Sequence, residues 1–153
     1  MNVRCKEALQ RSGDGVIAFY IIEVNVSFNV LICDDSAMAR KMAKRALPSG
    51  FSASMTEAAN GLDALDVISS QPIDLLLLDL TMPVLDGIGV LEELRRRQQK
   101  VFVIVVSGDV QPVMRQRVVE LGALAFLPKP VSASTLCDVL EQYGFSRYSA
   151  VVN

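Results

Sequence analysis

Three carboxylates and one ammonium stand just past the ends of apolar runs. Asp34 and Asp35 follow Asn29-Val-Leu-Ile-Cys33, Asp79 follows Ile73-Asp-Leu-Leu-Leu-Leu78, and Lys129 follows Ala123-Leu-Ala-Phe-Leu-Pro128. If those runs are parallel strands, one edge of one sheet carries all four groups. Burying such a set is costly unless a cation or a phosphate sits among them. Adjacent Asp34 and Asp35 repel one another unless a cation lies between them. Mg²⁺ suits that pair, because it takes one or two carboxylates, keeps waters and uses phosphate oxygens for the rest. Asp79, alone at its strand end, is a candidate ligand or nucleophile. Ser107 adds a hydroxyl after Val101-Phe-Val-Ile-Val-Val106. Carboxylate, metal, hydroxyl and lysine together are the parts that stabilise a phosphoryl group in transfer.

Such a set needs an alternation of strands and helices to hold it. Val30 to Cys33 reads as a buried strand, and Ser36 caps a helix over Ala37 to Ala46 that Pro48-Ser-Gly50 ends. Ala53 to Ala58 is a weaker strand, Asn60 caps a helix to about Ser69, and Leu75 to Leu78 is the third strand. Asp86-Gly87 opens a helix through Arg97, and Val101 to Val106 is the fourth strand. Pro112 suits the first turn of a helix that ends at Gly122. Ala123 to Leu127 is the fifth strand, and Ser132 or Ser134 caps a last helix to about Tyr143. The Leu and Val runs are continuous rather than alternating, as in parallel strands buried on both faces. Five βα units predict an open α/β sheet whose site lies at the carboxyl ends of its strands.

Residues 1–27 break this alternation. Val16 to Ile22 is seven apolar residues before Glu23, too short to span a bilayer. No small-residue cleavage site follows to mark a signal peptide. From Ile22 to Val30 polar and apolar residues alternate, a half-exposed strand pattern. Residues 1–27 are therefore expected to be an extension that is either disordered or an added strand, lengthening the first strand or pairing with a second chain. Residues 28–147 form the domain and 148–153 a tail.

With 51% hydrophobic residues, 21% charged and a net charge of -2, no basic surplus exists to hold a nucleic-acid backbone or an anionic membrane. The chain has no histidine, which excludes a Ser-His-Asp or Cys-His pair, a His-ligated zinc and a phosphohistidine of its own. Cys5, Cys33 and Cys137 lack ligand spacing and read as free thiols in a reducing cytoplasm.

In order, Asp34-Asp35-Ser36, Asp79-Leu-Thr-Met-Pro83 with Asp86-Gly87, Ser107-Gly108 and Lys129-Pro130 resemble the motifs of response-regulator receiver domains of the stand-alone, CheY-like kind, over about Phe28 to Phe145. The resemblance implies a flavodoxin-like (βα)5 open, doubly wound parallel sheet of strand order 2-1-3-4-5. It implies that Asp79 is the phosphoacceptor. Asp35 would then bind Mg²⁺ directly, Asp34 through water, and Asp79 and the Thr81 carbonyl would complete the metal site. Lys129 would pair with the phosphoryl oxygens, Ser107 would hydrogen-bond them, and Phe126 would be the aromatic switch. The Lys129-Pro130 bond would be cis, the isomer that is inexpensive only before proline.

The same resemblance assigns rate-tuning positions to Thr81, where many relatives carry Asn, and to Asp109. It implies a partner histidine kinase or phosphotransfer protein, and a downstream protein target read by residues 112–121, Phe126 and 132–143. The protein would be a monomer or a phosphorylation-dependent dimer, with no catalysis beyond its own phosphorylation and dephosphorylation. Two alternatives stay open: a receiver-fold adaptor that works unphosphorylated, and an aspartyl-nucleophile phosphohydrolase. The second needs an Asp where Thr81 stands.

Overall fold

The computed structural model describes residues 2–12, 15–145 and 148–152; residues 146–147, where the sequence reading closes the domain, lie outside them. From Phe28 onward the expected alternation is present. It runs β3 (Phe28–Cys33), α1 (Ala37–Ala46), β4 (Ser52–Ala58), α2 (Gly61–Ser70), β5 (Leu75–Leu78) and α3 (Gly87–Arg96). It continues through β6 (Phe102–Ser107), α4 (Pro112–Glu120), β7 (Ala125–Pro128) and α5 (Ala133–Gln142). All four neighbouring strand pairs are parallel, in the order β4-β3-β5-β6-β7. Counted within the unit, that is 2-1-3-4-5, the flavodoxin-like order.

The continuous apolar runs follow from burial on both faces of this sheet. Because side chains alternate along a strand, Leu31, Leu76, Leu78, Val103 and Val105 face α2, α3 and α4. Val30, Ile32, Leu75, Leu77 and Ile104 pack instead with α1 and α5, including Ala43, Ala46, Leu136 and Leu140. Neither face leaves a polar alternation for the sequence to show.

Helix starts are fixed by side-chain caps. Ser36, Asn60, Asp86 and Ser132 each accept a hydrogen bond from the backbone N–H three residues on. Of the two serines offered for the last helix, Ser132 is the cap. Gln111 caps α4 with no side-chain bond, and Pro112 occupies its first turn.

The chain ends differ from the sequence reading. Residues Asn2–Ser12 and Gly15–Asn25 form an antiparallel pair, β1 and β2. The stretch expected as a tail carries β8 (Tyr148–Val152), paired antiparallel with Tyr20–Val24. These strands form a second sheet of order β1-β2-β8, so the added strands neither lengthen nor extend the five-stranded one. The alternation from Ile22 to Val30 is split, since β2 stops at Asn25 and β3 begins at Phe28. Five-residue β8 lacks a strong apolar pattern of its own and takes its place from β2. Among the described residues, no helix is long and apolar enough to cross a membrane.

Candidate functional site

Three strands of the large sheet, β4, β3 and β6, each accept a backbone bond at their last residue from a site residue. Asp34 N–H donates to Ala58 O (3.1 Å), Asp79 N–H to Cys33 O (2.9 Å), and Lys129 N–H to Ser107 O (2.9 Å). The ladder thus extends one residue past β3, β5 and β7 and fixes where their side chains start.

The carboxylates are held from several sides. Asp34 is 6% exposed and Asp79 5%. Asp34 Oδ1 accepts from Ser36 N (2.8 Å), and Asp79 Oδ1 accepts from Leu80 N (2.9 Å). Lys129 Nζ bridges them, 2.5 Å from Asp34 Oδ2 and 3.3 Å from Asp79 Oδ2. Asp35 is exposed, yet it brings a carboxylate oxygen within 4.8 Å of the Asp34 and Asp79 oxygens. The donor set is oxygen only, with three carboxylates against one ammonium. Such a set fits a small, hard divalent cation.

Burial pushes the Asp79 carboxyl above its ordinary pKa, opposed by the charge of Lys129 and reinforced by that of Asp34. For Lys129, burial works against the charge. The hydrogen bond to Asp34 and the charges of Asp79 and Asp34 outweigh it, and its pKa lies above the ordinary lysine value. The lysine is the built-in counter-ion of the cluster.

Lys129→Met therefore leaves two buried carboxylates without their cation. The expected result is a loss of about 2 kcal/mol in urea unfolding without divalent ions, below the usual cost of breaking a buried pair because the Lys129 side chain is 28% exposed. Added Mg²⁺ should recover part of it by binding the folded state. An unchanged unfolding midpoint would contradict this electrostatic picture.

Ser107 is buried at the end of β6, and its Oγ accepts from Asp109 N at 3.2 Å. Asp109 in turn accepts from Gln111 N (3.1 Å), so it braces the loop that leads into α4. Phe126 is half-buried on β7, with the Arg115 guanidinium 4.8 Å over its ring. The Lys129-Pro130 bond is cis. Beside Asp34, Asp79 and Lys129 opens an apolar recess of about 240 Å³, lined by Met42, Leu77, Val106 and Val131 among others.

Two supporting groups escaped the sequence reading. Arg40 of α1 donates from Nη1 to Asp34 O (2.8 Å) and from Nε to Glu57 Oε2 (2.6 Å), tying helix, strand end and edge strand together. Its position one turn after the Ser36 cap was the available signal. Cys33, next to Asp34, faces the opposite way: its Sγ lies 3.3 Å from Asn60 O and 3.4 Å from Met82 Sδ. Burial, with the charges of Asp34 and Asp79, pushes its thiol up to about 12.

Comparison with known proteins gives this geometry a context. The family "Response regulator receiver domain" matches residues 30–141. Chemotaxis protein CheY of Bacillus subtilis is 30% identical over 117 residues, covering 76% of this chain and 98% of that protein. Sporulation initiation phosphotransferase F of the same organism is 36% identical over 87 residues, 57% of this chain and 70% of that protein. A protein-glutamate methylesterase/protein-glutamine glutaminase of Rhodospirillum centenum is 35% identical over 116 residues, but the chain spans only 28% of it. Among solved structures, the CheX-CheY-BeF3-Mg+2 complex from Borrelia burgdorferi matches with a TM-score of 0.70 and 29% identity, over 76% of this chain and 88% of that one. With the family covering most of the chain and a CheY matched nearly end to end, this protein belongs to the response regulator receiver domain family, in the CheY-like branch that serves two-component phosphorelay signalling.

Proposed function

We propose that Asp79 accepts a phosphoryl group from a partner histidine kinase or phosphotransfer protein, and that the chain then signals by protein contact. One observation carries this reading: a buried carboxylate ends the central strand β5, bridged by Lys129 to a second carboxylate, with a third within ligand distance.

An Asp79 oxygen attacks phosphorus, and the bond from phosphorus to the donor's imidazole nitrogen breaks, its electron pair staying on nitrogen. The product is an acyl phosphate on Asp79. The donor histidine belongs to the partner, since this chain has none. Mg²⁺ held by Asp34, Asp35, Asp79 and the Thr81 carbonyl would offset the negative charge that gathers on the phosphoryl oxygens. Lys129, already beside Asp79, would exchange its carboxylate contact for phosphoryl oxygens.

The modification adds about -1.5 to -2 of charge. Ser107 would leave its bond to Asp109 N for the phosphoryl group and draw the β6–α4 loop with it. Moving a two-state equilibrium from mostly off to mostly on takes about 5.5 kcal/mol of such preference, within reach of several charge-assisted hydrogen bonds. Phe126 would follow the loop, and α4, Phe126 and α5 would present the altered face. Val113 and Val119 stand exposed on that helix. Thr81 and Asp109 would set the lifetime of the acyl phosphate. We place the protein in the cytoplasm, with its own chemistry confined to gaining and losing this group.

Intact mass after incubation with acetyl phosphate tests the proposal. A gain of one phosphoryl group that requires Mg²⁺ is expected. No gain from acetyl phosphate or from any phosphorylated histidine donor, in a folded chain, favours the unphosphorylated adaptor.

A further inference from the structure

We propose that Arg40 is a positioning residue for the acidic edge: its guanidinium sets the peptide joining Asp34 to Asp35, and so governs how tightly a divalent cation is held there. The inference rests on the assignment of Mg²⁺ to Asp34, Asp35 and Asp79, and adds a residue that touches neither the cation nor the phosphoryl group.

The three carboxylates are not equally fixed. Asp34 is held through Oδ1 by Ser36 N and through Oδ2 by Lys129. Asp79 is held through Oδ1 by Leu80 N and through Oδ2 by Lys129. Asp35 is exposed, and among the described residues no hydrogen bond or ion pair restrains its carboxylate. One of its oxygens nevertheless lies within 4.8 Å of the other two groups. A carboxylate with no partner of its own is placed by the backbone that carries it.

That backbone is clamped by Arg40. Asp34 O accepts from Arg40 Nη1 at 2.8 Å. This oxygen belongs to the peptide between Asp34 and Asp35, and a peptide is planar, so fixing the oxygen fixes the direction in which the chain enters Asp35. Arg40 N also donates to Ser36 O at 3.0 Å, so the clamp grows from the same turn that it holds. The other side of the guanidinium is anchored on β4, where Nε donates to Glu57 Oε2 at 2.6 Å. Lys44 occupies Glu57 Oε1. Bonds from Lys44 and Arg40 hold the Glu57 carboxyl below its ordinary pKa, which keeps the anchor ionised. Only a rigid, planar fork reaches a carbonyl and a carboxylate at once; the ammonium of a lysine is a single point.

Position and charge act with opposite sign here. Arg40 is a cation beside a cation site, so losing its charge alone would tighten Mg²⁺ binding. Losing a group that orients a metal ligand instead weakens binding, by roughly ten- to a hundredfold. Glu57 already offsets the charge of Arg40, which leaves position as the larger effect.

Calorimetric titration of the full chain with MgCl₂ at constant ionic strength tests this. Arg40→Ala is expected to bind Mg²⁺ about tenfold more weakly than wild type, or worse. Arg40→Lys keeps the helix and the charge, and is expected to share the loss; it carries the test if the alanine variant does not fold. Lys41→Ala removes a like charge from the exposed neighbouring residue and should bind as wild type does or slightly tighter. Arg40→Ala binding as tightly as wild type, with stability lowered in urea, would overturn the proposal and leave Arg40 a merely structural residue. Tighter binding by Arg40→Ala, or wild-type affinity in Arg40→Lys, overturns it in favour of charge. A wild type that binds no Mg²⁺ removes the metal assignment as well, an outcome distinct from the others.

Discussion

Asp79→Asn is expected to be inert toward acetyl phosphate and more stable than the wild type. The amide keeps the size of the carboxylate and can still accept from Leu80 N, now 2.9 Å from Asp79 Oδ1. It removes the nucleophile, so the phosphoryl gain should vanish entirely. It also removes a buried charge that faces Asp34, while leaving Lys129 its 2.5 Å contact with Asp34. The sign of the pH dependence follows from the raised pKa of Asp79, caused first by burial. A group that binds its proton more tightly in the folded state costs stability as pH rises from the ordinary carboxylate range through the folded value. The wild type therefore loses this increment toward neutral pH, and Asp79→Asn does not. Without divalent ions the variant should be more stable by on the order of 1 kcal/mol at neutral pH, and the gap should close in acid. Urea unfolding of both proteins across that range measures it. A constant gap at all pH values would place the effect elsewhere than in Asp79 ionisation.

Gly87→Ala should be the most damaging small substitution near the site. Gly87 opens α3, and its N–H donates to Leu80 O at 3.0 Å. A Cβ there would stand 2.3 Å from Asp79 O and 2.9 Å from Leu80 Cα. Both obstacles are backbone, so no rotamer change relieves them. Either α3 lifts off the sheet or the segment after β5 moves. Overpacking of this kind costs about 3 kcal/mol. A displaced nucleophile slows its reaction by about a hundredfold per ångström-scale error, so phosphorylation by acetyl phosphate should slow by that order. Gly108 provides the contrast, since nothing lies within 4 Å of a Cβ placed on it. Gly108→Ala should unfold at the wild-type urea concentration. Equal stability of the two variants would show that the α3 start is more yielding than its geometry states.

The large sheet was legible because each of its signals is local. Leu75 to Leu78 are all buried, so the four-leucine run shows directly in the sequence as a strand covered on both sides. Ser36, Asn60, Asp86 and Ser132 cap the helices they precede, a short-range hydrogen bond that sequence alone can propose. Asp34, Asp79 and Lys129 were readable as a group because strand ends in a parallel sheet converge. The contacts between elements were not readable. Lys129 bridging Asp34 to Asp79, Arg40 reaching the Asp34 carbonyl, and Arg115 over Phe126 depend on distances across helices and strands. The second sheet was missed for another reason. Its central strand, apolar on both faces, matches no half-buried pattern, and β8 is assigned by pairing across more than a hundred residues of chain. The Gly13-Asp14-Gly15 triplet between two strand-length runs was the one hairpin signal.

The orientation of Cys33 bears on which metals the protein can take up. The residue adjoins Asp34 in the chain, and a thiolate there would turn an oxygen site into one attractive to zinc or copper(I). Its sulfur instead lies with Met82 and the Asn60 carbonyl among side chains of the α2–α3 face. Burial, with the charges of Asp34 and Asp79, keeps that thiol protonated at neutral pH. The oxygens grouped within 4.8 Å of one another at this edge are those of Asp34, Asp35 and Asp79, a set without sulfur. By placing the Cys33 sulfur with Met82 and the Asn60 carbonyl, the strand leaves a cluster of hard oxygen donors, the kind that suits magnesium rather than a thiophilic metal.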